Sequence, residues 1–198
     1  MKQKIVAFLT QENQAQSLEQ ILDGLKIDSR KANQVESALN DLVASFDLVL
    51  TKKKKYILAS LAGYQHGILH VVNTNYGFVD GDDHTYVKRE NFNTAINLDE
   101  VIVVRKEGSD GRFEGQIVSV VERHTEFILG TLSQSKGQWL MTPYGQKVTL
   151  PIHFGNSKNL PLKAGNRYVM RILSVDRVIT VDLDSLLGHQ QDIGIDVL

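Results

Sequence analysis

The stretch Asn75-Tyr76-Gly77-Phe78-Val79-Asp80-Gly81-Asp82-Asp83-His84-Thr85-Tyr86-Val87-Lys88-Arg89 carries the plainest signal of the fold. Side chains on a strand alternate between its two faces, so Tyr76 and Phe78 point the same way, with Gly77 adding no side chain to the opposite face. Asp80-Gly81-Asp82-Asp83 reads as a tight turn into a returning strand, on which Tyr86 and Lys88 share a face. The spacing therefore predicts a hairpin with three rings on one surface, rimmed by Lys88 and Arg89. Such a surface suits unstacked bases. The same alternation also fits half of a sandwich core, and the two readings differ in whether the rings face solvent. Asp80, Asp82 and Asp83 read as turn residues, because the ligand run and distal Glu of a calcium loop are missing.

On either side of the hairpin, residues 61–124 supply further strands at Gly67 to Val72, Val101 to Val104 and Gln116 to Val121, the last two joined by a Gly/Asp turn at 107–111. Five short strands at this spacing predict a small closed barrel of the oligonucleotide-binding type. Residues 125–198 read as a second, eroded copy. Gly130-Thr131-Leu132 repeats Gly67-Ile68-Leu69 at a separation of 63 residues, and Gln138-Trp139-Leu140-Met141 falls where the paired aromatics would recur. Further strands are predicted at 147–152, 167–175 and 178–183. Trp139, Lys158 and Arg171 are candidate contacts on this copy, although a lone Trp in a strand is usually core. Leu186-Leu187-Gly188 and the tail read as the beginning of another element.

Residues 1–60 carry helical periodicity. Ile5, Phe8 and Leu9 form one apolar stripe and Leu18, Ile21, Leu22 and Leu25 a second. Ser17 with Gln20 forms a capping box that starts the second helix, which should end near Gly24. A third helix is predicted from about Ser29 to Ser45, burying Ala32, Val35, Leu39, Leu42, Val43 and Phe46. Two short strands, Leu48 to Leu50 and Tyr56 to Leu58, then flank Lys52-Lys53-Lys54-Lys55. The outer face of the third helix offers Arg30, Lys31, Gln34, Ser37 and Asn40 together with Glu36 and Asp41, a mixed set that disfavours sequence-specific duplex reading. The lysine tip suits phosphate contact, or serves only as a solvated turn guarding an edge strand.

Composition sets the bounds. The 198 residues carry a net charge of -1, so any contact with phosphate must be local: 1–60 hold 9 basic and 7 acidic side chains, 61–124 hold 6 and 10, and 125–198 hold 7 and 6. There is no cysteine, which excludes disulfides, thiolate metal sites and a cysteine nucleophile. The N-terminal apolar run breaks too soon for a signal peptide, no segment approaches the ~20 apolar residues of a membrane span, and a cytoplasmic setting is expected. His66, His70, His84, His124, His153 and His189 are scattered, and neither a catalytic triad nor a metal-ligand pattern is legible. Asp182 and Asp184 lack the further carboxylates of a two-metal site.

Tyr76-Gly77-Phe78-Val79 and Thr85-Tyr86-Val87-Lys88 resemble the two signatures of cold-shock domains. The chain departs from that pattern at Asn75 (usually Gly), Lys88 (usually His) and Leu69 (usually Trp), which implies a smaller stacking platform. Three helices with a lysine-tipped hairpin resemble a winged helix-turn-helix. The order of the three modules, 1–60, 61–124 and 125–198, resembles the N-terminal region of the ribonuclease R group of ribonuclease II-type exoribonucleases. That resemblance implies an α+β chain, with a winged helix followed by two five-stranded cold-shock barrels. It also implies single-stranded RNA as partner, with structured RNA as a further one, held by Tyr76, Phe78, Tyr86, Lys88 and Arg89 and assisted by Lys52, Lys53, Lys54 and Lys55. In that family, magnesium-dependent 3′ to 5′ hydrolysis belongs to a later catalytic domain, so no cofactor, metal or catalytic residue is expected in this chain. The alternative is a free-standing regulator whose winged helix binds duplex DNA through Arg30 and Lys31.

Overall fold

The computed structural model describes residues 1–81, 84–107, 113–155 and 162–192. Asp82, Asp83, the turn at 108–111, the loop at 156–159 with Lys158, and the tail beyond Asp192 lie outside the described residues. The fold is α+β. Contacts divide the chain into two compact units, one of residues 1–65 with Val104–Lys106 and one of the remainder.

The first unit holds helices α1 (Lys2–Glu12), α2 (Leu18–Gly24) and α3 (Ala32–Ala44), followed by strands β1 (Leu48–Leu50) and β2 (Tyr56–Leu58). The capping box at the start of α2 is formed: the Gln20 N–H donates to Ser17 Oγ at 3.2 Å, and the Ser17 N–H donates to Gln20 Oε1 at 2.9 Å. The predicted third helix divides into a 3₁₀ turn at Ser29–Lys31 and α3, because the Asp28 carboxylate caps the turn at the Arg30 N–H. The apolar stripes meet in one core, where Ile5, Leu9, Ile21, Val35, Leu39 and Leu48 are fully or almost fully buried. β1 and β2 pair antiparallel, Leu48 opposite Leu58 and Leu50 opposite Tyr56. The lysine run forms the turn between them, closed by the Thr51 N–H donating to the Lys55 carbonyl at 2.8 Å.

Strands β3 (Tyr64–Val71), β4 (Tyr76–Val79), β5 (Thr85–Lys88), β6 (Glu100–Glu107) and β7 (Phe113–Glu122) close into a barrel in the order β3-β4-β5-β7-β6. The alternating inward residues Leu69, Val71, Val79, Val87, Val101, Val103 and Ile117 fill it, and Phe92 lies in the same core. β5 and β7 run parallel at Val87 and Gly115. A Cβ at Gly115 would lie 2.6–2.8 Å from methyl groups of Thr85, Val103 and Val87, so the barrel closes around a missing side chain.

Strands β8 (Phe127–Ser135), β9 (Gln138–Pro143), β10 (Ile152–Phe154), β11 (Asn166–Val175) and β12 (Ile179–His189) form a five-stranded sheet ordered β10-β12-β11-β8-β9. Among the described residues this second sheet is open, in contrast to the expected second barrel. Its edge strands are β9, which ends at Pro143, and β10, which begins after Pro151; neither proline has an N–H to extend a ladder. The strand expected at 147–152 is confined to Ile152–Phe154 for the same reason. β12 runs on through Leu187 and Gly188, so those residues finish the sheet instead of beginning a new element. The core holds Ile128, Leu132, Tyr168, Met170, Ile179 and Val181, with Trp139 and Met141 packed against it. It also takes in Ile96, from the segment between β5 and β6.

Candidate nucleic-acid interface

Register across the first barrel assembles the candidate surface. β4 lies between β3 and β5, with Phe78 opposite His70 on one side and Tyr86 on the other, and Tyr76 opposite Lys88. Gly77, Val79, Thr85 and Val87 alternate with these residues and are buried. A Cβ at Gly77 would lie 2.7 Å from the His70 carbonyl and 3.2 Å from the Phe92 ring, so glycine lets β3, β4 and the core ring approach closely. Alternation fixes the other face: Tyr76, Phe78 and Tyr86 are half-buried and belong to none of the cores.

The rings form one cluster. Tyr76 and Tyr86 have centroids 5.4 Å apart with planes tilted by 35°, and Phe78 stands edge-on to both at 5.8 Å, at 88° to Tyr76 and 67° to Tyr86. Edge-to-face contacts of this kind hold rings in fixed orientations while leaving part of each π surface uncovered.

The charged surroundings differ from the expected rim. Lys88 shares the outer face but pairs with Glu114 on β7, Nζ to Oε1 2.7 Å, and this hydrogen bond raises its pKa. Arg89 leaves the strand in a 3₁₀ turn, donates to the Thr149 carbonyl at 3.1 Å and lies 5.6 Å over the Phe92 ring. The turn after the strand thus commits its guanidinium to the Thr149 carbonyl and the Phe92 ring.

His70 and Asp80 extend the surface beyond the motif. The Asp80 carboxylate accepts from the Ile68 N–H and lies 3.1 Å from His70 Nε2. The backbone hydrogen bond, then the contact with His70, hold its pKa below the ordinary carboxylate value. In the sequence His70 was one of the scattered histidines, although its alternation with Leu69 on the strand marks it as outward; Glu114 carries no such signal, since its place beside Lys88 follows from the parallel pairing of β5 and β7.

The auxiliary residues are elsewhere in the chain. Lys52, Lys53 and Lys54 are exposed and Lys55 half-buried, and none has an acidic partner among the described residues. On the helical face, Arg30 is held by Asp28 at 2.7 Å and Asp41 by Lys2 at 3.0 Å. Trp139 packs on the core of the second sheet, and Arg171 pairs with Asp184 at 3.4 Å. No helix among the described residues is long and apolar enough to cross a membrane.

No protein-family profile matches the chain, and no curated protein matches it. Solved structures do. The apo form of Mycoplasma genitalium RNase R is similar over 67% of this chain, with a TM-score of 0.58 and 20% identity. The same enzyme in complex with ribose-methylated single-stranded RNA gives the same values. The chain spans 23% of the length of those structures. The likeness is one of fold.

Proposed function

We propose that this chain is the RNA-capturing region of a ribonuclease R-like 3′ to 5′ exoribonuclease, comprising a winged helix at 1–60, a cold-shock barrel at 61–124 and a degenerate cold-shock module at 125–198. Single-stranded RNA stacks on Tyr76, Phe78 and Tyr86 and passes to a catalytic domain that works with this region in the cytoplasm. Structured RNA is a further partner. The observation that carries the reading is the ring cluster on the outer face of β4 and β5, turned away from the barrel core. The similar fold of RNase R, solved with single-stranded RNA, supports it.

Stacking supplies about 1–3 kcal/mol per base, so two or three bases give useful affinity without a strongly basic surface. Electrostatics contributes less here. Lys88 must exchange Glu114 for a phosphate, and a solvent-exposed pair of this kind is weakly held, so the exchange is cheap and adds little. The wing lysines act as auxiliary phosphate contacts. Hydrolysis is assigned to the separate domain, whose clustered acids would hold magnesium. Asp184 is occupied by Arg171, and no catalytic role is given to it or to Asp182.

A regulator that reads duplex DNA is disfavoured by the acidic groups Asp28, Glu36 and Asp41, which are exposed near Arg30 and Lys31 and would meet phosphates of like charge. Anisotropy with one labelled sequence as single-stranded RNA and as duplex DNA separates the two functions. Tighter binding of the single strand is expected, and preference for the duplex would replace RNA capture with the regulator.

A further inference from the structure

A second cluster of titratable side chains lies on the barrel wall, away from the aromatic motif. Glu100 opens β6, Glu122 closes β7, and His124 follows two residues later. One donor atom from each lies within 4.8 Å of the others. His66, on β3, places Nε2 2.9 Å from Glu100 Oε1, and His124 Nδ1 is 4.0 Å from Glu122 Oε1. The closed strand order makes β6 a neighbour of both β3 and β7, so residues far apart in the sequence converge.

Strand alternation explains the gathering. Asp99 and Arg123, each next in sequence to a member of the cluster, turn inward: Asp99 is fully buried and accepts from Arg123 Nη2 at 3.1 Å. The second bond of that nitrogen goes to the Thr94 carbonyl at 2.9 Å. The nearest guanidinium in sequence is thus committed elsewhere. Among the described residues the only ion-pair partners of Glu100 and Glu122 are the imidazoles of His66 and His124. Among the described residues the two carboxylates thus stand together without a guanidinium or ammonium group paired to either to supply compensating charge. A divalent cation would supply that charge.

We propose that Glu100, Glu122 and His124 bind a divalent transition-metal ion of the zinc class, with His66 as an outer partner that orients the Glu100 carboxylate. One imidazole nitrogen and two carboxylate oxygens suit zinc or cobalt, whereas magnesium and calcium prefer shells of oxygen alone. Metal–ligand bonds of about 2.0–2.2 Å require the donors to draw in by roughly 1 Å. Side-chain rotation allows this, since the Glu122 and His124 side chains are 65% and 46% exposed. The backbone is already fixed beneath them by Asp99 and Arg123. The bound ion would clip the first residue of β6 to the exit of β7.

Calorimetric titration of the untagged chain with zinc chloride tests this, with cobalt chloride and magnesium chloride as parallel arms. One zinc per chain is expected, with a visible absorption band when cobalt replaces it and no comparable binding of magnesium. Saturating zinc should raise Tm by about 5 °C. Glu100→Gln, or Glu122→Gln with His124→Ala, should weaken zinc binding at least tenfold while circular dichroism stays unchanged; His66→Ala should weaken it by up to about tenfold. Absence of saturable zinc binding, magnesium binding as tight as zinc, or zinc binding that survives in folded Glu122→Gln/His124→Ala protein would overturn the proposal.

Discussion

Arg123 donates from Nη2 to the fully buried carboxylate of Asp99 at 3.1 Å, across 24 residues of sequence. The same carboxylate accepts from the Ile96 N–H at 3.0 Å, which holds in place the segment whose Ile96 side chain enters the core of the second sheet. Thr125 Oγ1 adds a bond to the Asn97 carbonyl at 3.1 Å. The passage from the barrel to the second sheet is therefore a packed joint.

Arg123→Ala should leave the Asp99 charge buried without its partner. Hydrogen bonds to charged groups contribute about 1.5–3 kcal/mol, so the unfolding midpoint in urea should fall correspondingly. Asp99→Asn/Arg123→Leu, which removes both charges, should recover part of the loss.

Asp80 makes stability depend on pH. Its native pKa is lowered by the Ile68 N–H and by His70, so its contribution is fully present above the unfolded carboxylate value of about 3.9 and is lost as pH falls through the lower native value. Wild type and Asp80→Asn should differ in unfolding free energy at pH 6 and converge towards pH 3. A difference that does not change over this range would exclude the carboxylate as its origin.

The aromatic hairpin and the helical stripes were legible because each depends on local periodicity. Tyr76 and Phe78 had to share a face, and Ser17 with Gln20 had to cap a helix. What depended on long-range pairing was not legible. Nothing near Lys88 announces Glu114, since their pairing needs the parallel contact of β5 and β7. Ile96 lies between the predicted strands, yet it is buried in the core of the second sheet. Arg89 was expected at the rim by its nearness in sequence, and the 3₁₀ turn after β5 directs it to Thr149.

Glu114→Gln should release Lys88 for phosphate. Affinity for single-stranded RNA at low salt should rise by about twofold, within the range of one exposed ion pair, and the gain should disappear at high salt. Anisotropy at two ionic strengths checks this.

Neutralising the wing tip, Lys52, Lys53, Lys54 and Lys55 each to Gln, should flatten the dependence of log K on log salt. The slope should change by about 0.7 for every phosphate of a single strand that the lysines had neutralised. An unchanged slope would assign the lysines to a solvated turn.

RNA capture stands or falls with bases lying on the rings at 76, 78 and 86, and the decisive measurement is anisotropy of a labelled short single-stranded RNA with Tyr76→Ala/Phe78→Ala protein. At about 1–3 kcal/mol per stacked base, the double substitution should weaken binding by at least thirtyfold while circular dichroism and the unfolding midpoint stay close to wild type. Wild-type affinity in the folded double variant would contradict base stacking at this surface.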